Sequence, residues 1–188
     1  SGKQYTSSTK VTDDNLALTA KWEVQGLSIT FDANGGSCDK TEMKVTYGKK
    51  AGKLPEPTRD GYSFLGWYYT KNSQEYELTS DITITSSISA YAKWDAFEYM
   101  ILLDARSGKC DEESVFAYCG EKIGDIPTPR RKGYYFGGWY TKPGGKGTLY
   151  TDKSLMPSKD FTLYAKWTKI SGYASKVTLN STKATLGV

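Results

Sequence analysis

Gly61-Tyr62-Ser63-Phe64-Leu65-Gly66-Trp67-Tyr68 returns 72 positions later as Gly133-Tyr134-Tyr135-Phe136-Gly137-Gly138-Trp139-Tyr140. A stretch so rich in rings and glycine reads as a strand that buries aromatics, and its return makes the fold a repeat. The segment just before it repeats at the same offset, as Leu54-Pro55-Glu56-Pro57-Thr58-Arg59 and Ile126-Pro127-Thr128-Pro129-Arg130-Arg131. After it comes Ala90-Tyr91-Ala92-Lys93-Trp94, matched by Leu163-Tyr164-Ala165-Lys166-Trp167 and by Leu18-Thr19-Ala20-Lys21-Trp22. Three landmarks on one period predict a first full repeat over 26–95 and a second over 96–168. Residues 1–25 read as the C-terminal part of a preceding repeat, and 169–188 as a linker or the first strand of a following domain. The expectation is a piece of a longer array. A lone final strand at 5–22 would leave Leu16, Leu18 and Trp22 on an unpartnered apolar face.

Within a repeat the pattern is extended. Leu27-Ser28-Ile29-Thr30-Phe31-Asp32 alternates apolar and polar, as a strand with one buried face does. Asp32-Ala33-Asn34-Gly35-Gly36 supplies a turn, and Met43-Lys44-Val45-Thr46-Tyr47 alternates again, predicting a hairpin. Pro55 and Pro57 bar a helix or central strand between them. Tyr62, Phe64 and Trp67 begin a third strand, and 87–94 forms the last. No stretch holds helical period over ten residues. The predicted fold is α+β, strongly β-dominated, with two tandem modules of about 70 residues and little helix. Modules that small need large rings to close a core. The expected core is Phe31, Tyr62, Phe64, Trp67, Tyr91 and Trp94, with Leu103, Tyr134, Phe136, Trp139, Tyr164 and Trp167 as counterparts.

Composition narrows function. The 188 residues hold no histidine, which removes Ser–His, Cys–His and His-rich zinc chemistry. Lys+Arg 25 against Asp+Glu 21 is too mild a balance to predict nucleic-acid binding. No apolar run is long enough to span a membrane, and no segment reads as a signal peptide. The acidic runs Asp13-Asp14 and Asp111-Glu112-Glu113 lack calcium-loop spacing, so no metal or cofactor is expected.

Candidate contact residues remain. Tyr68, Tyr69 and Tyr140 adjoin the buried tryptophans, and alternation turns some of them outward. Lys49, Lys50 and Lys53 in the first repeat, and Arg130, Arg131 and Lys132 in the second, flank the Pro-x-Pro loops. They are expected to offer a positive patch on the same side of each repeat. Nearby Glu56, Asp60, Glu121 and Asp125 would dilute it. Cys110 and Cys119 are a candidate disulfide across a hairpin, provided the β-carbons meet.

These landmarks resemble the Listeria–Bacteroides repeat, the family that includes the B-repeat of internalin B. The first repeat carries its opening as Thr30-Phe31-Asp32-Ala33-Asn34-Gly35-Gly36, its middle over 55–68 and its end as Tyr91-Ala92-Lys93-Trp94. The second departs at its start, with Leu103-Asp104-Ala105-Arg106-Ser107-Gly108, and has Cys119 where the first has Tyr47. The resemblance implies a small β-grasp-like module in tandem arrays on bacterial surface proteins, often adhesins, and brings no catalytic residues. Residues 177–186 resemble the opening strand of a bacterial Ig-like domain. The resulting expectation is a non-catalytic, extracellular segment at the bacterial surface or cell wall. It would contact a host surface protein or an anionic glycan, or serve as a stalk projecting adjacent domains of a longer chain.

Overall fold

The computed structural model describes residues 4–10, 12, 16–21, 23 and 26–171. Two five-stranded sheets follow one another. The first contains β1 (Gly26–Asp32), β2 (Glu42–Thr46), β3 (Tyr62–Lys71), β4 (Gln74–Leu78) and β5 (Ile88–Ala96). The second contains β6 (Glu98–Asp104), β7 (Ser114–Tyr118), β8 (Tyr134–Lys142), β9 (Lys146–Tyr150) and β10 (Phe161–Lys169). Strand orders are β2-β1-β5-β3-β4 and β7-β6-β10-β8-β9. In each module the first and last strands run parallel at the centre and the other pairs are antiparallel, a β-grasp-like mixed sheet. The described residues contain no helix.

Period-2 alternation decides which side chains are buried. Leu27, Ile29 and Phe31 of β1 point to one face, where they meet Trp67, Leu78, Ala90 and Ala92 from the other strands. The coil between β2 and β3 and that between β4 and β5 close over this face and add Ala51 and Ile84 to the core. They are tied together by Gly48 N–H to the Ile84 carbonyl, 2.8 Å, and Ala51 N–H to the Ile82 carbonyl, 2.9 Å.

The tryptophans explain why the landmarks travel together. A buried indole N–H needs an acceptor. Trp67 Nε1 donates to the Pro55 carbonyl at 2.7 Å, and Trp139 Nε1 to the Pro127 carbonyl at 2.9 Å. Trp94 Nε1 donates to the Ala33 carbonyl, 2.9 Å, and Trp167 Nε1 to the Ala105 carbonyl, 3.0 Å. Each indole therefore pins one loop onto the sheet. The turn after β1 must also let Trp94 pass, since a Cβ on Gly36 would lie 2.5 Å from its ring; Gly108 stands in the same relation to Trp167, at 2.4 Å. This is why the divergent start of the second repeat keeps its last glycine. Phe64 bridges Trp67 and Trp94 edge-on with ring centres 5.5 Å from each, and Phe136 bridges Trp139 and Trp167 at 5.5 and 5.7 Å.

Four residues expected in the core lie elsewhere. Tyr91 sits between the inward Ala90 and Ala92, so alternation turns it to the opposite face, and Tyr164 is placed likewise between Leu163 and Ala165. Tyr62 and Tyr134 occupy the end of their module, each beneath an arginine (Arg59 and Arg131, both 3.8 Å from the ring centre).

That module end is where the repeats join. Phe97 alone separates β5 from β6. Its N–H donates to the Gly61 carbonyl and its own carbonyl accepts from Cys119 N–H, both at 2.9 Å. The Tyr62 hydroxyl donates to the Cys119 carbonyl at 2.7 Å, and Ser158 hydrogen-bonds Asp60. Cys119 is buried in this joint, whereas its counterpart Tyr47 is 55% exposed. At the far end of the second module Ile170 N–H donates to the Gly133 carbonyl at 3.0 Å, repeating the Phe97–Gly61 bond.

The disulfide is not formed: Cys110 and Cys119 are free thiols. They flank opposite ends of the five-residue β7, which at about 3.3 Å per residue holds them far beyond disulfide reach. The described part of 5–22 forms no strand, and Leu18 is exposed. In each complete module the matching strand is clamped between two partners, which this segment lacks among the described residues. Trp22 and the Ig-like stretch at 177–186 lie outside the described residues.

Candidate functional site

Each sheet has one face closed by loops and one facing solvent, and the solvent face carries the polar chemistry. On the first module Tyr68 of β3 lies opposite Tyr91 of β5 and Glu77 of β4. The Lys93 ammonium stands 4.3 Å over the Tyr68 ring, a cation–π geometry. The Glu75 carboxylate accepts from both the Tyr91 hydroxyl and Lys93 Nζ. On the second module Tyr140 lies opposite Tyr164 and Leu149, Lys166 Nζ stands 5.6 Å from the Tyr140 ring centre, and Arg106 lies 5.8 Å from that of Tyr164. Leu149 takes the place of Glu77 there, and a register shift between β8 and β9 sets Lys146 opposite Lys142, where Glu75 lies opposite Thr70.

The cluster on the first module is electrostatically coupled. The hydrogen bond from Lys93, then that from Tyr91, holds the Glu75 carboxyl below the usual glutamate range. The same carboxylate pushes the Tyr91 phenol and the Lys93 ammonium upward. Depression of Glu75 favours the fold above the ordinary carboxylate range and is lost as pH falls through the lowered value. Elevation of Lys93 favours the fold below the ordinary lysine range and is lost as pH rises through the raised value. Both contributions are present at neutral pH, and both are small because the side chains are well exposed. Glu75→Gln is expected to return the Tyr91 phenol toward the ordinary tyrosine range, read by NMR titration of its ring carbons; an unmoved titration would contradict the coupling.

The other predicted contact residues are dispersed. Tyr69 lies on the core side, packed beside Tyr76 with ring centres 5.7 Å apart. Lys50 pairs with Asp81 at 2.7 Å, and Lys49 and Lys53 are exposed in the same coil. Arg130 pairs with Asp111 at 2.6 Å, and with Arg131 and Lys132 it rims an open depression that includes Lys109. The two basic groups do not share a side. The lysines follow β2 and so lie at the end where β1 begins, whereas Arg130 bridges Lys109 beyond the end where β6 finishes. The offset explains this: the lysines precede their Pro-x-Pro and the arginines follow theirs. Lys93, Tyr91, Tyr164 and Lys166 went unnoticed as contact residues, although strict alternation around Ala92 and Ala165 would have placed them outward. Among the described residues there is no group of three or more His, Cys, Asp or Glu side chains placed to hold a metal ion. No described helix is long and apolar enough to cross a membrane.

Comparison with known proteins follows the module boundaries. The Listeria–Bacteroides repeat domain matches residues 28–93 and again 99–166. A candidate membrane protein of Evansella cellulosilytica is 30% identical over 92% of this chain, and a candidate Gly-rich membrane protein of the same organism is 31% identical over 81%. Internalin H of Listeria monocytogenes is 29% identical over 88%. The chain spans only 27%, 17% and 30% of the lengths of these three relatives.

Proposed function

The chain belongs to the Listeria–Bacteroides repeat family, and from that premise we propose that it is a non-catalytic segment of a bacterial surface protein, exposed outside the cell, whose repeats contact a host protein or a surface glycan. The observation that carries this reading is the solvent face of each sheet. The same pair of tyrosines beside a lysine recurs on both modules, on the face that packing does not use. Packing accounts for the four tryptophans of the two modules, and two such faces on one chain would add avidity. The names of the relatives, two membrane proteins and an internalin, support the location. The lack of histidine and of any buried polar or charged side chain among the described residues supports a non-catalytic role.

A second reading, a stalk that projects another domain from the wall, is favoured by the joint. One linking residue, donors on Phe97 and Tyr62, and the Asp60 carboxylate accepting from Ser158 hold the modules together. The test is binding of the labelled chain to host cells and a glycan array across a salt series. Saturable binding supports the contact reading, with a steep loss in salt pointing to the cations. No binding in either format leaves the stalk.

A further inference from the structure

The two modules differ at one chemically telling place. In the first, the Tyr91 hydroxyl and the Lys93 ammonium converge on a carboxylate that the chain itself supplies, Glu75. In the second, Tyr164 and Lys166 hold the same positions on the sheet, but no carboxylate takes the place of Glu75: where Glu75 lies opposite Thr70, a register shift in the second module sets Lys146 opposite Lys142. Neither Tyr164 nor Lys166 hydrogen-bonds another protein side chain among the described residues. The neighbouring Arg106 is already paired with Asp104, at 3.2 Å. Replacement of Glu77 by Leu149 removes a second carboxylate and sets a 47%-exposed apolar side chain directly across from Tyr140. The result is an anion-accepting pair next to a flat platform of one aromatic and one aliphatic side chain.

We propose that this face of the second module binds a hexuronate residue of an anionic polysaccharide, with its carboxylate taken by Lys166 and Tyr164 and its ring laid on Tyr140 and Leu149. Glu75 is the internal stand-in for that ligand carboxylate, so the first module is closed and the second open. A charge-assisted hydrogen bond to the carboxylate supplies the stronger polar contact. The partially positive C–H face of a pyranose suits the electron-rich face of a tyrosine, which an acidic peptide side chain would not use. The assignment rests on the contact reading above and narrows it to one site and one ligand class.

The test titrates the whole chain with a galacturonate trimer, a galactose trimer and a triglutamate peptide, followed by amide NMR and calorimetry. Saturable shifts confined to the second module are expected with the galacturonate trimer. Lys166→Gln is expected to weaken binding by about tenfold or more. Glu75→Ala with Glu77→Leu is expected to open the first module and raise the stoichiometry from one site to two. Should that variant not fold, Lys166→Gln still decides. Failure of the galacturonate trimer to bind, or binding indifferent to Lys166→Gln, overturns the site. Equally tight galactose binding overturns the role of the carboxylate, and equally tight triglutamate binding overturns that of the sugar ring. If the chain binds cells while galacturonate fails, the contact reading stands and this site falls. If galacturonate binds through Lys166 and no cell does, the site stands and the contact reading falls.

Discussion

Trp67→Ala is expected to unfold the first module while the second stays folded. The indole is almost wholly buried, touches Phe31 at 4.8 Å and Phe64 at 5.5 Å between ring centres, and donates to Pro55. Truncating a buried tryptophan costs about 3–5 kcal/mol. A domain of this size holds only about 3–5 kcal/mol in its core, so the loss consumes nearly all of the module's stability. The loop over Pro55 would also lose its anchor. Amide NMR in water should show the resonances of 26–96 collapse to unfolded positions while those of 98–169 persist. Persistence of both sets, with a denaturation midpoint barely shifted, would refute the assignment of Trp67 as the keystone of its core.

Gly61→Ala is expected to open the joint with both modules intact. Gly61 has φ +81°, where an L side chain is strained by roughly 1–2 kcal/mol. The added Cβ would also fall 2.3 Å from Cys119 Sγ and 2.8 Å from the Ser158 Cβ, so the second module must move away. Nitrogen relaxation should then show the modules tumbling with separate, shorter correlation times, and the wild type is expected to tumble as one body. Unchanged relaxation would mean the contacts around Phe97 and Tyr62 do not couple the repeats.

Much of this architecture was legible in the residues. The 72-residue offset placed both modules, and alternation in 27–32 found β1 and its buried face. The hairpin of β3 and β4 was harder. Its turn is Asn72-Ser73, both at positive φ (52° and 63°), and serine is a weak signal for that conformation. Tyr91 and Tyr164 were misplaced because a small module's need for large rings does not say which side of a strand each ring takes. A residue also recurs when it lies on the same exposed face of the same strand, and the small alanines beside it mark the side that is packed. Cys119 was misread for a different reason. Its burial comes from Gly61 and Ser158 across the joint, and a contact between modules leaves no trace in the pattern within one. Glu75 gained meaning only when the fold brought β4 and β5 to the two sides of β3, next to Tyr91 and Lys93.

The central claim is that this segment makes contact through the solvent faces of its sheets. It is tested most directly by comparing host-cell binding of the labelled wild-type chain with that of a Tyr68→Ala, Tyr140→Ala, Lys166→Gln variant whose thermal unfolding matches the wild type. The account predicts saturable wild-type binding that the variant loses by about tenfold or more, since aromatic anchors and charge-assisted contacts carry most of such an interface. Binding equal in the two proteins would contradict it and move the contact to the loop cations or elsewhere on the chain.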